Sequence, residues 1–256
     1  MPLDRRHFLS LAVTGATAGF VAASEIAKAN PLTKIKAVAF DGFVVFDPRP
    51  IGVLAEELFP GKGADVMAVW RTRQFEYTWL RTLTQSYVDF WQVTMDALAF
   101  GCAIHNLELT PTKRDRLMSA YLQLKAWPDV LPTLQVLKDA GIRMAFLTNF
   151  TAAMLDANIR SAGLGGFFEG HLSTDKVSAF KPDPRSYEMG VSHFKLPREA
   201  IAFTAFAGWD AAGAKRFGYP VVWCNRLNQP VEELGVVADH VASTTVDLPT
   251  LVIGRY

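Results

Sequence analysis

The sequence predicts an α/β protein: a parallel, doubly wound sheet whose first strand is followed by a helical insert. Three observations carry that prediction. A short apolar run from Lys34 ends at an aspartate, a block of helical spacing follows it, and after Pro128 strand-like and helix-like segments alternate to the end. Such alternation argues for parallel strands joined by helices. The composition agrees. Of 256 residues, half are apolar and a fifth are charged, a globular balance with enough chain for a core and an insert.

The first segment stands apart from the fold. Arg5-Arg6 and His7-Phe8-Leu9 precede a modest apolar stretch from Leu11 to Ala23, closed by Ala27-Lys28-Ala29. A paired arginine before a weakly apolar run and a small-x-small site resembles a twin-arginine export signal. The run is shorter than the roughly 20 residues of a membrane span, so no stable membrane anchoring is expected. The competing reading is an ordinary amphipathic helix. Residues 1–29 are taken as the signal, with the mature chain expected in the periplasm after passage through the twin-arginine machinery.

Ile35-Lys36-Ala37-Val38-Ala39-Phe40 is a short run, apolar but for Lys36, that ends at Asp41, as a strand buried on both faces does. Pro48 and Pro50, beyond Gly42-Phe43-Val44-Val45-Phe46, are expected to stop any regular element. Helical spacing then runs through Val69, Trp70, Phe75, Trp79, Leu80 and Leu83, and again through Tyr87, Phe90, Trp91, Met95 and Leu98. Pro111 suits the first turn of another helix. Residues 50–126 are therefore assigned to a helical cap, and 30–49 with 127–256 to a Rossmann-like core.

In the second core segment, a helix from Leu131 to Ala140 should end at Gly141. Strands are expected at Met144–Leu147, at Ile201–Thr204 and at Val221–Cys224, with a short segment of unassigned type near His171–Ser173. Helices open near Thr151, Pro184 and Trp209, and a last strand and helix hold Val241 and Leu251. Cys102 and Cys224 lie far apart and form no metal-type cluster. Buried free thiols are the simpler reading, with a single disulfide left open. The net charge of +1 provides no field for nucleic acid.

Ligands of open parallel sheets bind at the carboxyl ends of the strands. Asp41, Thr148-Asn149, Lys181 and Asp210 all fall at or beyond such ends. An acid, a hydroxyl-amide pair, a lysine and a second acid, in that order, resemble the constellation of the haloacid dehalogenase superfamily. Longer stretches narrow the resemblance to its L-2-haloacid dehalogenase family. These are Trp70-Arg71-Thr72-Arg73-Gln74-Phe75-Glu76-Tyr77-Thr78-Trp79-Leu80, Lys181-Pro182-Asp183-Pro184-Arg185-Ser186-Tyr187-Glu188, and Trp209-Asp210-Ala211-Ala212-Gly213-Ala214-Lys215.

The resemblance implies that Asp41 is a nucleophile that displaces halide from C2 of a small 2-haloacid, forming an ester that water then cleaves. It implies that Lys181 keeps Asp41 ionised, and that Asp210 orients the lysine and polarises water. Arg71 and Asn149 would cradle the halide, Thr148 would hold the substrate carboxylate, and Phe43, Phe90 and Trp209 would wall the pocket. Tyr187 would bond to the lysine or pack on its helix. No cofactor and no metal are implied, and a homodimer is the family habit. Each residue also has a plainer reading: Asp41 and Asp210 as helix-start acids, Lys181 and Arg71 as solvated cations, Asn149 as a loop residue, and the aromatics as core.

The chain departs from the family pattern where water is handled. Val44-Val45 stands for glycine-threonine, and Ala205 and Ala207 stand for a serine and an asparagine. Losing a hydroxyl removes a bond worth about 1 kcal/mol net. Besides a working dehalogenase, another hydrolase of the superfamily and a catalytically weak binding protein stay open. Phosphatase chemistry is disfavoured. The general acid needed two residues after the nucleophile is replaced by Phe43, and Ala207 and Gly208 leave Asp210 without companion acids for magnesium.

Overall fold

The computed structural model describes residues 35–254. The segment assigned to the export signal lies outside them. A six-stranded parallel sheet organises the described chain. Its strands are β1 (Ala37–Phe40), β4 (Arg143–Thr148), β5 (His171–Ser173), β6 (Ile201–Ala205), β7 (Val221–Cys224) and β8 (His240–Ala242), in the spatial order β5-β4-β1-β6-β7-β8. The chain builds outward from β1 to β5 and then returns to lay β6 on the other side of β1. That reversal opens a crevice at the carboxyl ends of β1 and β6. Phe40, the last residue of β1, is in register with Phe146 on one side and Thr204 on the other.

Burial on both faces explains the continuous apolar strands. Val38 and Phe40 point into one apolar layer, and Ala37 and Ala39 into the other. The period of two sends alternate side chains to opposite faces. Helices α6 (Val130–Asp139), α7 (Ala152–Ala162), α8 (Pro184–Phe194), α9 (Gly208–Phe217) and α10 (Leu248–Ile253) surround the sheet. Gly141, at φ +73°, turns the chain out of α6 in the left-handed region.

The interruption after β1 is bracketed by a small ribbon. Asp41 begins a one-turn helix, α1 (Gly42–Val45), which runs into β2 (Phe46–Asp47), and β2 pairs antiparallel with β3 (Lys125–Ala126). Between them lie α2 (Arg49–Leu58), α3 (Gly63–Leu83), α4 (Phe90–Ile104) and α5 (Pro111–Ala120). Pro48 and Pro50 do not stop regular structure, contrary to expectation: Pro48 caps α2 and Pro50 sits in its first turn. The missing N–H of proline is no loss there, because first-turn amides have no partner within the helix. Cys102 and Cys224 are both buried free thiols, so no disulfide joins them. No helix among the described residues is long and apolar enough to cross a membrane.

Candidate active site

Asp41 is both the end of β1 and the N-cap of α1. Its Oδ2 accepts the Phe43 N–H at 2.9 Å, and its own N–H donates to Thr204 of β6 at 3.0 Å. A strand end that is also a helix cap gives this carboxylate one orientation, facing the crevice. Lys181, in the loop before α8, reaches beneath it. Its Nζ donates to Asp41 Oδ1 at 2.8 Å and to Asp210 Oδ2 at 2.6 Å. Asp210 lies in the first turn of α9, and all three side chains are almost wholly buried.

A buried charge needs an opposite charge and further hydrogen bonds to be tolerated. Burial alone would pull the Lys181 ammonium down, but Asp210 and Asp41 together hold it above its ordinary value. For Asp210, burial wins and raises its carboxyl to about 6, with Lys181 opposing and Asp41 reinforcing. Tyr187 supplies the last donor: its hydroxyl gives to Asp210 Oδ1 at 2.7 Å.

Tyr187 therefore corrects the sequence expectation. It bonds to the acid and not to the lysine, it is fully buried behind Asp210, and it takes no part in lining the cavity over Asp41. Gly213, one turn after Asp210 on α9, makes this possible. A Cβ there would come within 2.6 Å of the Tyr187 hydroxyl.

Of the other polar candidates, Thr148 and Asn149 line the same cavity, and Arg71 lies behind its Phe43 and Phe75 walls. Thr148, at the end of β4, is already engaged: its Oγ1 accepts the N–H groups of Gly42 and Phe150, each at 3.3 Å, and lies 3.5 Å from Asp41 Oδ1. Its hydroxyl thus braces the turn after Asp41. Asn149 Oδ1 accepts the Lys181 N–H at 3.1 Å, which leaves the amide nitrogen to serve a ligand. Arg71, on α3, has no ion pair or side-chain hydrogen bond among the described residues. Its guanidinium carbon lies 5.5 Å from the Phe43 ring and 5.9 Å from that of Phe75.

The cavity is small, ≈ 10 Å³, room for about one water. Phe43, Phe90 and Trp209 line it as expected from the sequence, together with Phe75, Phe150, Phe206 and Ala207. Phe43 stands edge-on to Phe150 at 4.8 Å, and Phe150 stacks on Phe90 at 5.7 Å. Trp209 is wedged between Phe75 (5.3 Å) and Trp79 (5.4 Å). Phe75 was legible as the residue one helical turn beyond Arg71. Phe150 and Phe206 sit in loops, where periodicity carries no signal. Among the described residues, no group of three or more His, Cys, Asp or Glu side chains converges as a metal site would.

A doubly wound sheet with a buried Asp–Lys–Asp line at its carboxyl edge defines the class of haloacid dehalogenase-like hydrolases, and the model of that family matches residues 28–218. The (S)-2-haloacid dehalogenase of Pseudomonas sp. (strain YL) is 41% identical over 206 residues, covering 80% of this chain and 89% of its own. A solved L-2-haloacid dehalogenase superposes with a TM-score of 0.84 at 38% identity, covering 86% of this chain and 100% of that one. The L-2-haloacid dehalogenase of Xanthobacter autotrophicus, solved with chloropropionic acid covalently bound, gives 0.81 at 32% identity over 87% of this chain and 100% of that one. This chain belongs to the L-2-haloacid dehalogenase family of these hydrolases.

Proposed function

We propose that the protein hydrolyses short-chain L-2-haloacids to 2-hydroxy acids and halide through an ester on Asp41. The observation that carries this reading is the Lys181 ammonium bridging Asp41 and Asp210 under a small apolar cavity. An ammonium bonded to one carboxylate oxygen favours the ionised form, which is the nucleophile. The covalent chloropropionic acid complex of the Xanthobacter relative supports the same chemistry.

In the first step an Asp41 oxygen attacks C2, the carbon–halogen bond breaks, and halide leaves with the bonding pair. Arg71, whose guanidinium carbon lies 5.5 Å from the Phe43 ring, stabilises the departing anion together with the Asn149 amide. In the second step water adds to the ester carbonyl, Asp210 takes its proton, and the 2-hydroxy acid departs, regenerating Asp41. The first step inverts C2 and the second does not touch it, so an L-haloacid gives a D-hydroxy acid. The test is halide release from L-2-chloropropionate and monochloroacetate, with chiral analysis of the lactate. No halide from either acid, or L-lactate as product, overturns the reading. No step requires a cofactor, and activity should persist in excess EDTA. A gain of p-nitrophenyl phosphate hydrolysis with magnesium would favour phosphatase chemistry instead.

Export belongs to the same proposal. Arg5-Arg6 before the Leu11–Ala23 run supports delivery to the periplasm by the twin-arginine machinery. Replacing both arginines by lysine is expected to trap precursor in the cytoplasm, and unchanged periplasmic levels would refute it. A homodimer is also proposed, supported by the exposed Leu80 and Leu83 at the end of α3, and a monomeric mass by light scattering would remove it.

A further inference from the structure

Phe206 occupies the turn between β6 and α9, with a methyl-sized residue on each side, Ala205 and Ala207. Phe206 lines the cavity over Asp41 together with Ala207 and Asp210. The ring is only 8% exposed and lies 5.8 Å from that of Phe43, tilted by 47°. Its backbone is held from the other side, since the Trp223 indole donates to the Phe206 carbonyl at 3.1 Å. Phe43 cannot yield easily either, because Phe150 stands against it edge-on at 4.8 Å. The two rings thus form one packed apolar wall of the ≈ 10 Å³ cavity.

The wall has a consequence for the reaction proposed above, on which this inference rests. C2 of a 2-haloacid carries a carboxylate, a halogen, a hydrogen and one more substituent. The halogen has polar partners in Arg71 and the Asn149 amide, and the carboxylate is itself polar and gains nothing from an apolar surface. The remaining substituent must face the apolar wall. In a haloacetate it is a hydrogen, whereas in a 2-halopropionate it is a methyl that would have to displace a packed ring. Close-packed interiors resist such insertion.

We propose that Phe206 is a specificity-determining residue that biases the site toward two-carbon haloacids by disfavouring an alkyl group on C2. One methyl against a full pocket changes kcat/KM by about 10- to 200-fold. The purified enzyme is therefore expected to favour monochloroacetate over L-2-chloropropionate by roughly tenfold or more in kcat/KM. Phe206→Ala should raise the chloropropionate-to-chloroacetate ratio by at least about tenfold. Phe206→Leu, which keeps apolar packing in the turn, should raise it by less.

A wild-type ratio near one, or one favouring chloropropionate, overturns the inference without need of any variant. So does an unchanged ratio in both variants while halide is still released, and dehalogenation then stands without this determinant. Halide from neither acid overturns the dehalogenation reading itself, and this inference with it.

Discussion

At the scale of single residues, the site is a line of charges whose protonation is set by burial. Asp210 is raised to about 6, chiefly because it is desolvated. An acid so raised is anionic only above that value. Its anchoring of Lys181 and the water-deprotonating role proposed for it are therefore expected to be lost as pH falls through it. The acid limb of kcat/KM is expected near pH 6, falling about tenfold per unit below it. Tyr187→Phe removes a hydroxyl that favours the anion, a bond worth about 1 kcal/mol. The limb should then move upward by roughly half a unit to one unit, whereas a purely structural tyrosine would leave it in place. The alanines at 205 and 207 are expected to bear on a different step. Displacement needs a charged nucleophile and a stabilised halide, but ester hydrolysis needs a held water, and a misplaced reactant forfeits much of the proximity advantage. Halide should appear in a burst of about one equivalent and then slowly, with an adduct on Asp41 seen by intact-protein mass spectrometry. Ala205→Ser combined with Ala207→Asn should speed the slow phase only, and Asp41→Asn should abolish burst and adduct alike. Steady release with no adduct would show that other groups hold the water.

At the scale of elements, the turn after Asp41 depends on a brace some distance from the chemistry. Arg226, after β7, pairs with both oxygens of Asp129 at 2.8 and 2.9 Å and donates to the Val44 carbonyl of α1 at 3.0 Å. Asp129 also accepts the N–H and hydroxyl of Thr245, each at 2.7 Å. Burial would raise Asp129, but these donors outweigh it and hold the carboxyl at about 2. A depressed carboxyl stabilises the fold above its unfolded value, near 4, and that stability drains away as pH falls toward 2. Asp129→Asn is expected to cost about 3 kcal/mol at neutral pH. Urea melts of the variant should also show a shallower loss between pH 4 and pH 2 than the parent, and equal slopes would refute the brace. None of this was legible in the sequence, because Asp129, Val44, Arg226 and Thr245 are brought together only by the fold. Most strands of the six-stranded sheet and most helix starts were legible, since Ala37–Phe40 and Val221–Cys224 are continuous apolar runs and Thr151 and Asp183 are side-chain caps, whereas the two-residue strands β2 and β3 were too short to leave a pattern. The beginning of α2 was misread, because proline breaks a helix interior yet suits a first turn, and local sequence cannot say which applies. Asp41, Lys181 and Asp210 were legible from motif spacing. The true partner of Tyr187 was not, for it depends on the close approach of α9 at Gly213.

At the scale of the whole molecule, the reaction chamber has two halves. The sheet supplies Asp41, Asn149, Lys181 and Asp210, while the inserted helices supply Phe75 and Phe90, with Arg71 against the Phe43 ring. A chamber that small must open for substrate, so the contacts joining the halves set how much closure costs to undo. Two polar contacts do so between the α3–α4 region and the segment around Lys181. The Tyr87 hydroxyl donates to Asp175 at 2.6 Å, and Thr82 accepts the Phe180 N–H at 3.1 Å. Tyr87 also stacks on Phe180 at 4.6 Å, immediately before the lysine. Phenylalanine at position 87 keeps that stacking but loses the bond to a charged acceptor, a change worth roughly 1.5–3 kcal/mol. If that bond favours the closed chamber, Tyr87→Phe should weaken closure onto substrate and raise KM several-fold. It should change kcat much less, because no group that touches the reacting atoms has moved. Steady-state kinetics on monochloroacetate decides it. An equal fall in kcat and kcat/KM would mean that Tyr87 acts on the lysine itself and not on closure. Unchanged kinetics with a lowered melting temperature would mean that the bond only stabilises the fold.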